Sequence, residues 1–252
     1  MRAAAVVAAL LLPLSASAAP PATESVAIRG RPQSVRVYGR RGAPVAIVAS
    51  GDGGFIHLGP YVAEFLASQG YFVVGFDSKA YLSSFTKGDK TLSTTDVPAD
   101  FATLVDYAAQ GAGTPPLLLG VSEGAALAVL AVTSDTTKAK VAGVIGLGLP
   151  DKAELGWRFR DSIIYLTKGV PNEPLFSTAE VIDTVAPLPL VAIHSTKDEF
   201  VSVDDIRRVM SRALEPKQLW LIEASDHRFS GKERELDQKL MDAIAWIKAH
   251  RR

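Results

Sequence analysis

Short runs of consecutive apolar residues recur along this chain, and stretches in which apolar residues have helical spacing lie between them. An apolar run that is too short for a helix and lacks polar alternation predicts a strand buried on both faces. Strands of this kind that alternate with helices predict an α/β fold with a doubly wound, mostly parallel sheet. The predicted buried strands are residues 44–49, 71–76, 141–147, 188–194 and 218–222, together with the run that begins at Leu117.

Helices and an edge hairpin complete the predicted fold. Residues 25–28 and 34–38 alternate between apolar and polar, which predicts an antiparallel hairpin at the edge of the sheet. Residues 78–96 are polar and rich in Ser, Thr and Lys, which predicts a loop. The predicted helices are residues 58–68, 97–109, 203–214 and 233–250.

One longer insertion, over about residues 150–187, interrupts the alternation of strands and helices. Its aromatic residues either cover a pocket as a lid or pack this surface segment onto the core. No repeat, low-complexity tract or second domain is evident, so residues 19–252 are predicted to form a single domain. The aromatic residues of the insertion are Trp157, Phe159, Tyr165 and Phe176.

The first 18 residues have the pattern of a secretory signal peptide. Arg2 supplies a positive start, residues 3–14 are apolar, and Ala-Ser-Ala at 16–18 is a small-x-small cleavage site. The apolar stretch is too short to span a bilayer, and no later segment is long enough to be a transmembrane helix. We therefore expect a periplasmic or secreted protein, with an uncleaved membrane anchor as the alternative.

Charge and cysteine content exclude several function classes. The chain has 27 Lys and Arg against 27 Asp and Glu, so loss of Arg2 with the leader leaves 26 against 27 and a net charge of −1. This balance gives no electrostatic reason to expect a nucleic-acid partner. The chain contains no cysteine, which excludes disulfides, a thiolate nucleophile and a thiolate metal site.

The sequence Gly-Val-Ser-Glu-Gly at residues 120–124 has the form G-x-S-x-G. It follows a predicted strand and precedes a helical stretch of small residues, the context in which this motif presents a nucleophilic serine, here Ser122. The glycines leave room for a sharp, strained turn, and the helix dipole favours negative charge at that point. The pattern occurs by chance in about one chain in ten of this length. A plain Gly-Ser turn is therefore the alternative.

Asp198 and His227 follow two predicted strands downstream of Ser122. Ligands of parallel sheets bind beyond the carboxyl ends of the strands, so both residues are predicted to lie at the catalytic edge. The order Ser, Asp, His suits a triad in which His227 takes the proton of Ser122 and Asp198 orients the imidazole. The alternatives are a surface-loop role for His227 and a neighbouring carboxylate, Glu199 or Asp226, in the place of Asp198.

The glycine-rich residues 50–54 follow the first buried strand. In enzymes with a nucleophilic serine on such a sheet, the loop at this position supplies one backbone N–H group of the oxyanion hole. We expect the backbone of Asp52 or Gly53 to donate, together with that of Glu123 after the nucleophile. A plain glycine-rich turn is the alternative, and Ile56 stands where a dinucleotide-binding motif needs glycine. No histidine has metal-ligand spacing, so we expect neither a metal nor a cofactor.

Together these residues resemble the α/β-hydrolase superfamily over nearly the whole mature chain. The Ser-Gly-Asp-Gly-Gly stretch at 50–54, Gly-Phe-Asp-Ser at 75–78 with Tyr81 nearby, and Gly-Leu-Gly at 146–148 resemble the VirJ/AcvB family of exported bacterial proteins. Phe55 replaces that family's tryptophan, and Glu123 stands where an aromatic residue is expected. The resemblance implies a periplasmic serine hydrolase, and AcvB members cut the lysyl ester from lysyl-phosphatidylglycerol.

Acidic residues predicted around the pocket mouth bear on the substrate. A ring of Asp52, Asp77 and Glu123 would favour a cationic acyl group such as a lysyl ester. Alternatively, Asp52 shapes its turn, Glu123 complements a helix N-terminus and Asp77 is structural. The leading hypothesis is a serine hydrolase for a small or amphiphilic ester, including a phospholipid headgroup at a membrane surface. A general carboxylesterase or acyl-peptide hydrolase, and a non-catalytic envelope accessory protein, are the alternatives.

Overall fold

The computed structural model describes residues 21–159 and 173–251. The predicted signal peptide and Tyr165, in the centre of the insertion, lie outside these residues. Within them, no helix combines the length and the apolar character that crossing a membrane requires.

An eight-stranded sheet forms the centre of the described residues, with the strand order β1-β2-β4-β3-β5-β6-β9-β10. The first two strands form an antiparallel hairpin, β2 pairs antiparallel with β4, and every later pairing is parallel. The mostly parallel sheet of the sequence prediction is confirmed. The strands are β1 (Ala22–Ile28), β2 (Arg31–Tyr38), β3 (Val45–Ala49), β4 (Phe72–Phe76), β5 (Leu117–Val121), β6 (Gly143–Leu147), β9 (Leu190–Ser195) and β10 (Lys217–Ile222).

Helices cover both faces of the sheet because successive side chains of a strand point to opposite sides. In β3, Val45, Ile47 and Ala49 join one hydrophobic cluster, whereas Ala46 and Val48 join the other. The described helices are α1 (Leu58–Ser68), α2 (Ser78–Phe85), α3 (Asp96–Ala108), α4 (Glu123–Ala131), α5 (Asp135–Lys138), α6 (Thr178–Val181), α7 (Val203–Arg212) and α8 (Glu233–His250), with a 3-10 turn at Ile182–Val185.

The loop predicted at residues 78–96 is wrong over its first half, because α2 forms there. Asp77 caps this helix, and its Oδ1 accepts the Ala80 N–H at 2.9 Å. Ser78, Tyr81 and Leu82 are buried at helical spacing. A helix of eight residues with only three inward positions shows too little apolar periodicity to stand out from its polar composition.

The insertion begins and ends in a two-stranded antiparallel sheet of β7 (Lys152–Glu154) and β8 (Leu175–Ser177). Trp157 and Phe176 are buried and belong to the core cluster on the α4 side of the sheet. Phe159 instead leaves 83% of its surface exposed. The packing interpretation therefore applies to Phe176 and Trp157, although Trp157 also lines a pocket, and Phe159 is mostly exposed.

A buried polar cluster fixes α2 against α3. The Tyr81 hydroxyl donates to Asp100 Oδ2 at 2.6 Å, and both side chains are almost fully inaccessible. Arg29 Nε lies 2.8 Å from Asp100 Oδ1, an ion pair without the angle of a hydrogen bond. Burial outweighs these partners and raises the pKa of Asp100. Tyr81 therefore donates a stabilising hydrogen bond to a carboxyl group that is buried away from solvent.

Tyr81→Phe should lower the free energy of unfolding by about 1–3 kcal/mol, because it leaves a buried acceptor unsatisfied. Urea denaturation monitored by circular dichroism measures the change. Tyr107→Phe is the matched control, since it removes a hydroxyl that hydrogen-bonds Glu24 at the surface, and it should cost about 1 kcal/mol or less. Equal losses in the two variants would contradict the stabilising role of the buried cluster.

Candidate active site

Ser122 lies on a strained turn between β5 and α4, with a φ of 51° and a ψ of −118°. The two glycines of its motif are required because backbone atoms pack closely around them. A Cβ at Gly120 would lie 2.1 Å from the Gly124 carbonyl oxygen, and a Cβ at Gly124 would lie 2.4 Å from the carbonyl oxygens of Ala49 and Ser50. No side chain fits at either position, so the motif holds the ends of β3 and β5 and the start of α4 in direct backbone contact.

The Ser122 side chain faces the loop that follows β3. An ideal Cβ at Gly51 would lie 3.3 Å from Ser122 Cβ and 4.0 Å from its Oγ. The Ser122 N–H donates to the carbonyl of Leu147, at the end of β6, at 2.8 Å. The serine is thus held between the ends of the two strands that flank its own.

Asp198 and His227 form a short hydrogen bond, with 2.6 Å between His227 Nδ1 and Asp198 Oδ2. Asp198 Oδ1 accepts the N–H groups of Phe200 and Val201, each at 2.9 Å. Burial alone raises the pKa of this carboxyl. The hydrogen bond and charge of His227, with the two N–H groups, outweigh burial and hold the pKa of Asp198 below its ordinary value. Asp198 is therefore an ionised acceptor for Nδ1–H.

The carboxylates that the sequence left as alternatives have other partners. Glu199 Oε2 accepts the backbone N–H of His227 at 2.8 Å. Asp226 Oδ1 accepts the backbone N–H groups of Arg228 and Ser230, each at 3.0 Å. Among these acids, it is therefore Asp198 that contacts the imidazole.

The imidazole of His227 packs directly on Gly148, in the loop after β6. A Cβ at Gly148, whose φ is 60°, would lie 2.5 Å from His227 Cε1. The Phe200 ring meets the imidazole edge to face, with 5.4 Å between centroids. Gly148 follows Leu147, whose carbonyl accepts the Ser122 N–H, so the β6 end brings His227 and Ser122 to one place. Among the described residues no hydrogen bond joins Ser122 Oγ to the imidazole; catalytic hydrogen bonds often tighten only when substrate binds.

His194 is a neighbour of the acid that sequence reasoning did not assign. It is fully buried in β9, and its Nε2 lies 3.9 Å from Asp198 Oδ2 and donates to the Val201 carbonyl at 3.0 Å. Burial lowers the pKa of His194 more than the nearby carboxylate raises it, so its imidazole is neutral. His194 therefore holds the loop that carries Asp198, a role that its position inside a strand did not reveal.

The glycine-rich loop provides free amides beside Ser122. The Gly54 N–H donates to the Gly51 carbonyl at 3.0 Å, which closes a turn. Within the described part of the chain, the N–H groups of Asp52 and Gly53 have no hydrogen-bond partner. The Glu123 N–H is at the first position of α4, where a helix has no acceptor to offer. The backbone amides of the three predicted oxyanion donors are thus without a hydrogen-bond partner among the described residues.

The two segments whose motifs resemble the VirJ/AcvB family, the loop after β3 and the end of β4 with the residues after it, contact each other in the structure. Ser50 Oγ accepts the Ser78 N–H at 3.1 Å, and Asp77 Oδ2 accepts the Phe55 N–H at 3.1 Å. The Phe55 ring lies against Gly75, where a Cβ would be 2.2 Å from its Cζ. The residues after β4 therefore fix the shape of the loop after β3.

The predicted ring of acids is used largely for internal contacts. Glu123 is buried, and its Oε1 accepts the Glu154 N–H at 2.6 Å. Burial, then the nearby charges of Glu154 and Asp52, raise the pKa of Glu123 well above its ordinary value despite that bond. Asp77 accepts the N–H groups of Phe55 and Ala80. The structural interpretation of Asp77 applies, and Asp52 is the ring member whose carboxylate makes no hydrogen bond among the described residues.

The remaining histidines make no hydrogen bond with Ser122, Asp198 or His227 among the described residues. His57 directly precedes α1, with a φ of 53°, and His250 stacks on Trp246 near the carboxyl terminus. In the described residues, no group of three or more His, Cys, Asp or Glu side chains is arranged to hold a metal ion.

Many solved structures share this fold at low sequence identity. Est1E from Butyrivibrio proteoclasticus is 14% identical with a TM-score of 0.66, and covers 90% of this chain and 99% of its own. The α/β hydrolase GrgF from Penicillium sp. sh18 is 14% identical with a TM-score of 0.67, at 92% and 99% coverage. A bromoperoxidase from Bacillus anthracis is 13% identical with a TM-score of 0.67, at 89% and 100% coverage. The chain has the α/β-hydrolase fold.

No curated protein matches this sequence. A family model does match it: the model of the bacterial virulence protein VirJ aligns with residues 43–247. This match extends from the loop before β3 to the last turns of α8, and so includes Ser122, Asp198 and His227. The chain belongs to the VirJ family of bacterial virulence proteins.

Proposed function

We propose that this protein is an exported serine hydrolase that cleaves a carboxylic ester through Ser122, His227 and Asp198. The observation that supports it most is the 2.6 Å hydrogen bond between His227 Nδ1 and a buried, ionised Asp198, at the strand edge that also carries the strained Ser122. Such a pair fixes the tautomer in which His227 Nε2 is free to accept a proton.

The proposed chemistry is acyl transfer in two steps. Ser122 Oγ attacks the ester carbonyl while His227 Nε2 takes its proton, and Asp198 stabilises the imidazolium. The N–H group of Glu123, with that of Asp52 or Gly53, donates to the oxyanion. Collapse of the tetrahedral species breaks the ester bond, and His227 returns the proton to the departing alcohol. Water, deprotonated by His227, then releases the acid and restores Ser122.

Export and the acyl group are further parts of the proposal. The predicted leader over residues 1–18 supports a periplasmic or secreted location, where membrane lipids are accessible. The VirJ/AcvB resemblance supports an aminoacyl phospholipid, with a lysyl ester as the bond that is cut. Of the acids near the serine, Asp52 has a carboxylate without a hydrogen bond among the described residues, so we assign it to the lysyl ammonium group.

Ser122→Ala should abolish fluorophosphonate labelling and ester hydrolysis, because it removes the nucleophile. His227→Ala and Asp198→Asn should lower kcat by about 10⁴-fold or more, since they remove the base or its orientation. His250→Ala, a histidine substitution far from the serine, is the control and should retain both readouts. Folded wild-type protein that neither labels nor hydrolyses any ester would favour the non-catalytic accessory role.

A lysyl ester should be hydrolysed with a higher kcat/KM than the matching norleucyl ester, which lacks only the ε-ammonium group. We expect a factor of about three to five, the effect of one partly exposed ion pair of about 1 kcal/mol. Asp52→Asn should remove this preference while keeping the backbone amide. Equal kcat/KM values for the two esters in the wild type would refute a lysyl-selective site and leave a general esterase.

Glu123→Gln should stabilise the protein increasingly as the pH rises. A raised pKa means that folded Glu123 binds its proton more tightly than the unfolded chain does, so stability is lost above the ordinary carboxyl value of 4.5. The amide keeps the acceptor for the Glu154 N–H without that loss. Thermal melts should show a gain that grows as the pH rises above the ordinary carboxyl value of 4.5 and vanishes well below it. Glu64→Gln, at an exposed carboxylate, should show no such trend; a gain independent of pH would contradict the buried neutral acid.

A further inference from the structure

A groove lies beside the glycine-rich loop, on the side where α2 begins. Its volume is about 320 Å³, within the size range of small-ligand sites. We call it the α2 groove, and its lining includes Arg36, Gly53, Gly54, Ile56, Lys79 and Trp157. Apart from Gly53, whose backbone N–H is a candidate oxyanion donor, none of these residues has a role in the chemistry proposed above.

Two cations of the α2 groove are without a carboxylate partner. Among the described residues, no carboxylate lies within ion-pair distance of Arg36 or Lys79, although thirteen other pairs of side chains do form such contacts. The Lys79 ammonium lies over the Trp157 ring, with Nζ 4.3 Å from the centroid. Arg36 Nη1 donates to the Phe55 carbonyl at 3.3 Å, and the guanidinium also interacts with the Tyr38 side chain. Neither partner is a carboxylate, so the positive charge of Arg36 is not neutralised.

Asp77, the acid among the described lining residues, does not cancel this charge. Asp77 lines the groove as well, but its two oxygens already accept the N–H groups of Phe55 and Ala80. Among the described lining residues, two cations and one internally hydrogen-bonded carboxylate give a net positive charge. An immobilised ammonium and a guanidinium fork are the groups that recognise phosphate or carboxylate.

The α2 groove lies within reach of the proposed nucleophile. Gly53 lines it, and Gly51, two residues earlier, lies against Ser122. Two residues of extended chain span at most about 7 Å. A group held in the groove and an ester at Ser122 can therefore belong to one small molecule.

We propose that the α2 groove binds an anionic group, a phosphate or a carboxylate, that the ester substrate of Ser122 carries on its non-reacting part. Arg36 and Lys79 then determine specificity for a negatively charged ester, and Trp157 holds the ammonium in place. This inference rests on the proposed function, because it assigns a further part of the substrate of the same site.

Two esters that differ only in the phosphate test the inference. 1-Butyrylglycerol and 1-butyrylglycerol 3-phosphate present the same scissile bond, and wild-type protein should prefer the phosphate ester by about tenfold in kcat/KM. The ratio should fall about threefold to fivefold in Arg36→Gln and in Lys79→Gln. Lys90→Gln, an exposed lysine outside the groove, is the matched control and should leave the ratio as it is. Added salt should lower the wild-type ratio, because it screens the charges.

Binding without turnover separates this inference from the proposed function. Calorimetry on Ser122→Ala with glycerol 3-phosphate and with inorganic phosphate should show binding that Lys79→Gln weakens in both cases. Tighter binding of glycerol 3-phosphate supports a substrate-borne anion, whereas equal binding of inorganic phosphate would overturn it in favour of a free-anion site. Absence of binding, or a wild-type ratio of one that salt does not change, would also overturn it. If the wild type hydrolyses neither ester and does not react with a fluorophosphonate, while glycerol 3-phosphate is still bound preferentially, the proposed hydrolase is refuted and the anion site is kept.

Discussion

The backbone contact made by Gly120 and Gly124 is the constraint on which the site depends. With no side chain at these two positions, the turn after β5 can lie against the carbonyls that end β3, and a Cβ at either would come within 2.4 Å of a carbonyl oxygen. In this arrangement Ser122 has a positive φ, and the glycine-rich loop lies beside its side chain. One packing requirement therefore places both the candidate nucleophile and the loop that carries candidate oxyanion donors.

The other half of the site is organised around the ends of β6 and β9. Leu147 binds the Ser122 backbone, and the adjacent Gly148 supports the His227 ring. Asp198 is held by two backbone amides, and His194 secures the same loop from inside the sheet. Loops after separate strands are thus fixed to the sheet before any substrate is present, which is what pre-organisation for acyl transfer requires.

The charged and ionisable groups near Ser122 fall into two sets, those held by internal contacts and those left for a ligand. Glu123 is buried, neutral and bound to the start of the insertion, while Asp77 ties the loop after β3 to α2. These carboxyl groups are part of the framework of the site. Among the described residues, Asp52 in the glycine-rich loop and Arg36 and Lys79 in the α2 groove are charged side chains without an ion-pair partner. An ester with groups of opposite charge at its two ends would satisfy both sides.

Sequence by itself determined the alternation of buried strands and helices, the nucleophile motif and the loops on which Asp198 and His227 lie. These features are local: periodicity, glycine at a tight turn and position after a strand are all readable along the chain. The sequence did not predict α2, because eight mostly polar residues show little helical periodicity of apolar positions. Only the tertiary structure decided which acid meets His227, that Glu123 faces Glu154, that His194 supports Asp198, and that Arg36 and Lys79 share a groove. Those contacts join residues far apart in the chain, and burial and distance in the folded state, which no local pattern encodes, determine them.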